Sequence, residues 1–345
     1  MNGLKEKMKT MDGKKAIMDE LNRKGIFNTA KVQVMDGGPA GITPSNVYMP
    51  AGILTKISAD LVRIITRKRT ADEIIGNRKK LGMWEQNDIL TRNLEQLGET
   101  KPYTDKDNAP TVSLNPQFIY AGHYRFSVKA QPGDLESAQM ALANISNEAE
   151  MYAAALETLA IEFNNTAFFG TTKQSGAYPV YGFLNNPSLD AYKTASSTIA
   201  NTTFDTFFKD VRDLIQDVIT KARGWASGDS NITIGIANAR AMNFSVVNQY
   251  GQTVEEVLKK TFHNLKIVNS PELDAAYNGN DVMVCRIENT EAANVAETAV
   301  LGFSEIALAS PVVRYETYSS QKFSSGSFGT IVYKPYMIAR SYFTA

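Results

Sequence analysis

Residues 134–170 read DLESAQMALANISNEAEMYAAALETLAIEFNNTAFFG. Asp134, which follows Pro132-Gly133, is a good helix start, because its carboxylate can accept from the free N–H groups of a first turn. Gly170 is a good stop, because it tolerates the backbone that ends helices. Between them Leu135, Ala138, Leu142, Ile145, Ala149, Tyr152, Leu156, Leu159 and Phe163 fall three or four residues apart. The spacing predicts one continuous helix with one apolar stripe, roughly 50 Å long at about 1.5 Å per residue. Its many alanines and its lack of flanking salt bridges fit a helix packed in a core better than a free coiled coil. Every ionised side chain on it is acidic: Asp134, Glu136, Glu148, Glu150, Glu157 and Glu162. Residues 56–80 are the complement, with Lys56, Arg63, Arg67, Lys68, Arg69, Arg78, Lys79 and Lys80 against Asp60, Asp72 and Glu73. The two segments are expected to meet, with contact between neighbouring copies as one way of doing so.

Upstream of the helix, two extended segments, 87–97 and 111–128, flank a polar tip that carries Pro102, Asp105, Lys106, Asp107, Asn108 and Pro110. They predict a long hairpin, whose return arm shows Tyr120, Tyr124, Phe126 and Val128 in the alternation of a half-exposed strand. A ribbon of that length needs another surface to cover it. Residues 2–24 are lysine-rich with sparse apolar points at Leu4, Met8, Met11, Ile17, Met18 and Leu21, the pattern of a weak amphipathic helix that waits for a partner. Residues 37–52 hold Gly37, Gly38, Pro39, Gly41, Pro44, Pro50 and Gly52, which predicts an extended arm.

Downstream, helix and strand alternate. Residues 205–223 have helical spacing, 231–236 read as a strand, 237–248 and 253–262 as helices, and 265–268 and 281–287 as strands. That alternation suits a compact α/β module. Residues 305–309, 312–318 and 329–339 read as closing strands, with Ser324-Ser325-Gly326-Ser327 as a turn between the last two. No internal repeat is visible.

The whole chain has 345 residues, 43% of them hydrophobic, enough for one large or two ordinary domains. Thirty-six basic residues balance thirty-six acidic ones, so total charge gives no reason to stick to nucleic acid or acidic lipid. The single cysteine, Cys285, lies in the apolar run Val282-Met283-Val284-Cys285 and reads as a buried strand thiol, which fits folding in the cytosol. Lys5, Lys7 and Lys9 are followed by no apolar h-region, and no run approaches the roughly 18 apolar residues of a membrane span, so neither secretion nor insertion is expected.

The search for chemistry returns no catalytic, cofactor-binding or metal site. His123 and His263 are the only histidines and have no partner at metal-ligand spacing. Gly37-Gly38-Pro39-Ala40-Gly41 reads as a turn, since Pro44 and Pro50 block the helix that would hold a phosphate. Ser319-Ser320-Gln321-Lys322 matches S-x-x-K without its companion motifs, in a strand context. Asp105-Lys106-Asp107-Asn108 lacks the glycine and glutamate of a calcium loop. Tyr333-Lys334-Pro335-Tyr336 and Arg340-Ser341-Tyr342-Phe343 interleave aromatic and basic groups, but on a terminal strand this spacing packs a core more simply than it stacks bases.

In order, then, the chain offers an extended arm, a long hairpin, a long helix, an α/β module and late strands. That order, over residues 85–345, resembles the Hong Kong 97-type capsid fold of tailed bacteriophages, an α+β fold. A sharper likeness is local: Glu162-Phe163-Asn164-Asn165-Thr166-Ala167-Phe168-Phe169-Gly170 followed by Tyr181-Gly182-Phe183-Leu184-Asn185-Asn186-Pro187 is similar to the helix-to-loop junction of phage capsid proteins and encapsulin relatives. The resemblance implies an N-terminal arm and linker (1–83), an E-loop hairpin (84–130), a peripheral domain with a spine helix (131–200), an axial domain (201–300) and closing peripheral strands (301–345). It implies a major capsid protein, without cofactor or membrane, assembled in the host cytoplasm. Copies would tile hexamers and pentamers around double-stranded DNA that they do not read by sequence. Portal, decoration and scaffolding proteins are the further partners implied; residues 1–24 are too short for a scaffolding domain, so any scaffold is expected to be separate. One family member joins a loop lysine to a neighbour's asparagine; Lys101 and Lys106 lie on this loop, but no matching asparagine or glutamate is found, so no isopeptide bond is expected. An encapsulin-like compartment, an α/β enzyme with an unrecognised site, and a tail tube protein are the competing readings.

Overall fold

The computed structural model describes residues 68–103, 105, 110–142, 145–198, 202–288 and 297–344. The expected helix at 2–24 and the arm at 37–52 lie outside the described residues. From Thr70 a single turn α1 (Ala71–Ile74) leads to a short strand β1 (Arg78–Lys80). The hairpin follows as β2 (Asp88–Leu97) and β3 (Ser113–Gly122), paired antiparallel with Leu90 opposite Tyr120 and Gln96 opposite Leu114. The return arm stops earlier than the alternation suggested. At His123 the chain changes partner, and β4 (Tyr124–Ala130) pairs with β12 (Ser319–Val332) instead of with β2.

The helix is in two pieces, α2 (Asp134–Leu142) and α3 (Asn147–Phe169). Ser146 has an extended backbone, and the Ile145 N–H reaches back to Met140 O, so the chain leaves the helix and restarts it. Periodicity missed the break because Leu142, Ile145 and Ala149 keep helical spacing across it. Packing exposes it: α2 buries no residue, whereas α3 buries Ala155, Leu159, Phe163, Ala167 and Phe168. At about 1.5 Å per residue α3 is about 35 Å long, not 50.

Two sheets organise the rest. The six-stranded sheet is built around β12, which is flanked by β4, by β9 (Ala299–Phe303) and by the short strands β10 (Leu308–Ala309) and β11 (Val313–Arg314); β1 extends it beside β9. Ala155 and Leu159 of α3 pack against Ala130 and Phe323 of this sheet. The expected turn at 324–327 is instead the middle of β12, and buried. Its small residues serve close packing. Ser325 Oγ donates to Glu305 O, and a Cβ at Gly326 would run into Ser304 Oγ and His123 Nε2.

The five-stranded sheet runs in the order β5 (Lys193–Thr194), β13 (Ile338–Phe343), β8 (Asp281–Glu288), β6 (Asn231–Ala237) and β7 (Leu265–Ser270). Its apolar strands are covered by α4 (Phe204–Lys221), through Phe207, Val211, Leu214, Ile215 and Val218, and by α5 (Val254–Thr261), through Val254 and Leu258. Both helices start with capping boxes, Thr203 with Thr206 and Thr253 with Glu256. Residues 237–248, read as a helix, form tighter 3-10 turns (Asn238–Ser245), in a stretch whose Asn238, Asn243 and Ser245 are weak α-helix formers. The single strand expected at 329–339 is interrupted at Pro335, which has no N–H for a ladder; after it the chain crosses into the other sheet as β13. The closing strands are thus divided between both sheets.

Candidate assembly surfaces

His123 is the keystone at the base of the ribbon. It is fully buried. Gln86 O can only accept, so Nδ1 carries the proton and donates to it at 2.7 Å, which leaves Nε2 to accept from Ser304 Oγ at 2.8 Å. The ring stacks on Phe328 with centroids 4.4 Å apart and meets Trp84 edge-on. Burial, with Arg125 adding to it, lowers the imidazole's pKa; the Gln86 bond opposes this. Arg125 itself donates to Trp84 O, Gln86 O and Asn87 Oδ1, fastening the segment that leads into β2.

The loop at 171–180 clamps the same base from outside. Ser175 N donates to His123 O, and Asp88 accepts from Ala177 N and Tyr178 N, each at 3.3 Å. Tyr178 stacks on Tyr120 of β3 at 4.5 Å. Gly122 and Gly176 are required by this approach, since a Cβ on either would enter Tyr178 O or the Asp88 carboxylate.

Beyond its base the ribbon has two unlike faces. Residues directly opposite in an antiparallel pair share a face. Ile89, Ala121 and Ile119 face the body and pack with Val300, Phe328 and Ile331. Leu90, Phe118, Tyr120 and Leu114 lie on the other face, and Leu114 is 61% exposed. A two-stranded ribbon with an open apolar face is marginal in water by itself, so this face is built to be covered. Exposed apolar side chains also occur on α2, at Leu135 and Leu142, and in and around β10 and β11, at Leu308, Val312, Val313 and Tyr315; the Gly133–Tyr318 bridge ties the start of α2 to the segment between β11 and β12.

The basic segment and the acidic helix do meet, and within one subunit. Arg69 pairs with Glu157 at 2.5 Å, and the Arg78 guanidinium lies 4.8 Å from the centre of the Phe163 ring while it grips Asp72 with two bonds of 2.7 Å. Lys56, Arg63 and Arg67 lie outside the described residues. Glu162 is used as well, accepting from Tyr124 OH, which with burial holds that phenol up at about 12.

The motifs searched for chemistry are scattered. Ser319 and Lys322 are three apart on a strand, so they point to opposite faces and cannot form the amine–hydroxyl pair. His263 is exposed, 3.8 Å from Asp229. Cys285 is fully buried, and burial pushes its thiol up to about 12. Arg340 donates to the carbonyls of Leu184, Leu189 and Asp190 beneath Tyr192, and Phe343 is in the core, so the terminal aromatic–basic run packs the fold. A depression of about 490 Å³ holds Lys221, but that lysine is taken by Asp190 and Asp217. Gly37–Gly41 and Lys106 lie outside the described residues, and Lys101 is exposed near the ribbon tip. Among the described residues no cluster of three metal-ligating side chains occurs, and no helix is long and apolar enough to cross a membrane.

A long helix laid along one sheet, a second α/β body, and a clamped ribbon with an apolar face turned outward define a shell-building capsid subunit of the Hong Kong 97 type. The chain belongs to the family of the Pa193 gp26 major capsid protein, whose model matches residues 40–342. Similar folds occur in the capsid of Myoviridae phage XM1 (TM-score 0.70, 14% identity, covering 86% of this chain and 98% of that one) and in Gordonia phage Cozz (TM-score 0.58, 11% identity, 90% and 98%). The capsid of an empty GTA particle is a third (TM-score 0.55, 11% identity, 86% and 97%). No curated protein matches the chain in sequence. The role is structural: copies of the chain assemble into the capsid of a tailed-phage virion.

Proposed function

We propose that the chain tiles the icosahedral head as hexamers and pentamers, with the β2–β3 ribbon of each copy laid over a neighbour. The open apolar face of Leu90, Phe118, Tyr120 and Leu114 carries this reading. The body covers the opposite face at Ile89, Ile119 and Ala121, so a second subunit is the natural cover for this one. The ribbon corresponds to an E-loop within residues 84–130. The six-stranded sheet with α3 corresponds to a peripheral domain, and the five-stranded sheet with α4 and α5 to an axial domain. The shell encloses double-stranded DNA without reading its sequence, in keeping with zero net charge and the acidic α3. Assembly takes place in the host cytoplasm with a separate scaffold or none, and the shell also engages portal and decoration proteins.

The test is to express the chain alone and to examine it by negative-stain microscopy with light scattering. Closed shells of megadalton mass, or regular capsomers of five or six chains, are the expected result; a clean monomer would overturn the reading. Phe118→Ser should leave the melting temperature of the isolated subunit within a few degrees and yet cut shell yield, because the side chain is exposed in the monomer and covered in the shell.

A further inference from the structure

We infer that the buried hydrogen-bonded cluster of Thr70, Asn164, Ser270 and Glu272 sets the angle between the two sheet bodies of each subunit, and through it the curvature of the shell. This rests on the capsid role established above. Asn164 lies near the end of α3, the helix packed along the six-stranded sheet. Ser270 is the last residue of β7, at the edge of the five-stranded sheet, and Glu272 is in the 3-10 turn that follows. Thr70 begins α1, just before the chain passes into β1 of the six-stranded sheet. The four residues thus join both bodies and the helix between them.

The bonding is closed. Asn164 Nδ2 donates to Glu272 Oε1 at 2.9 Å while its Oδ1 accepts from Ala71 N at 3.1 Å. Ser270 Oγ donates to Glu272 Oε2 at 2.8 Å and lies 2.7 Å from Thr70 Oγ1, which also reaches Oε2 at 3.4 Å. All four side chains are at most 3% exposed.

What surrounds them is apolar. Phe163 and Ala167 of α3 share one apolar cluster with Val268, Leu273 and Val284 from the five-stranded body and with Leu301 and Val332 from the six-stranded sheet. Apolar contact is non-directional, so this core alone would hold the bodies together over a range of angles. Hydrogen bonds are short and directional, and breaking one partner here strands another in the dry interior. A closed polar cluster therefore selects one seating where the core tolerates several. In a shell each subunit repeats its neighbour's geometry, so a small change of that angle accumulates around the whole particle.

The test uses full-length protein assembled into particles, with diameters read by electron microscopy and subunit melting read in parallel. Glu272→Gln keeps the size and the acceptor for Asn164, and its Nε2 can donate to Ser270 Oγ once that hydroxyl turns to accept, so the cluster can close again and should give the wild-type diameter distribution. Glu272→Ala and Asn164→Leu should give folded subunits whose particles at least double the spread of diameters or remain open. If those two variants give shells of wild-type diameter and only a lower melting temperature, or if Glu272→Gln scatters as widely as Glu272→Ala, the inference is overturned. Should both disruptive variants fail to fold, Thr70→Val, which removes one hydroxyl at constant size, should still broaden the distribution; an unchanged distribution would count against the cluster. Absence of particles from the wild-type chain would instead remove the self-assembly reading on which the inference rests.

Discussion

At the scale of single residues, His123 concentrates more of the architecture than any motif in the sequence suggested. Its two ring nitrogens hold the approach to β2 and the end of β9, and its ring fills the space that Gly326 leaves open. Because burial depresses its pKa, the folded state takes up a proton less readily than the unfolded chain, whose histidine titrates near 6.5. The stability tied to the neutral ring is fully present above about pH 6.5 and is lost as pH falls towards and through the folded value. Melting temperatures measured from pH 7.5 to 5.5 should therefore drop more steeply for the wild type than for His123→Gln. Parallel curves would show that the folded ring takes up a proton as readily as the unfolded one, so that the neutral form contributes no stability. Nothing in the sequence points to this role beyond the presence of a histidine on the hairpin. Its partners at positions 86, 304 and 328 are far apart along the chain, and single-residue chemistry does not reveal which distant segments a fold will bring together.

Among the elements, what periodicity could read was any helix or strand with one wet and one dry face. The helices α3, α4 and α5 are of this kind, as is β4, which holds Tyr124, Phe126 and Val128 of the alternating run, and the hairpin and its need for cover were legible from residues 87–128. The failures share a cause, which is tertiary packing overriding local pattern. Ser324–Ser327 has turn composition, yet β12 is paired on both sides there, so small residues mark crowding instead of exposure. The stripe of residues 134–163 ran unbroken in spacing although only its second part has a surface to lie on. That difference is measurable. Leu159 is 4% exposed and Leu142 87%. Leu159→Ala should cost about 2–5 kcal/mol in denaturant unfolding of the subunit, while Leu142→Ala should fall within about 0.5 kcal/mol of wild type. Equal effects would mean that α2 is buried in the isolated subunit after all. The contact of Arg69 with Glu157 is more modest: both groups are more than a third exposed, so the pair is worth at most about 1 kcal/mol and orients more than it stabilises.

For the whole molecule, the resemblance in element order proved a better guide than any chemical motif, because the function lies in surfaces and angles and not in a reactive group. The assembly surfaces were legible only in part: the ribbon announced itself as two extended segments about a polar tip, whereas most of the alternation, at Tyr124, Phe126 and Val128, belongs to β4 in the six-stranded sheet. Cohesion of the shell is expected to be non-covalent. Mature particles boiled in detergent should run as a single band at the subunit mass, and a ladder of multiples would show that Lys101 or Lys106 is cross-linked after all.

The crossing of the last strands has a consequence for synthesis. Neither sheet can close before residues 319–343 are made: β12, the centre of one, pairs Gln321 with Ala130, and β13 stands between β5 and β8 in the other. At about 5–20 residues per second, a nascent chain spends most of its time on the ribosome unable to complete either core. Fragments released by stalling therefore lack both finished sheets and the ribbon's support at Phe328. Such fragments cannot seat the ribbon as the finished subunit does, so only a chain carried through β13 has the surfaces from which a shell is built.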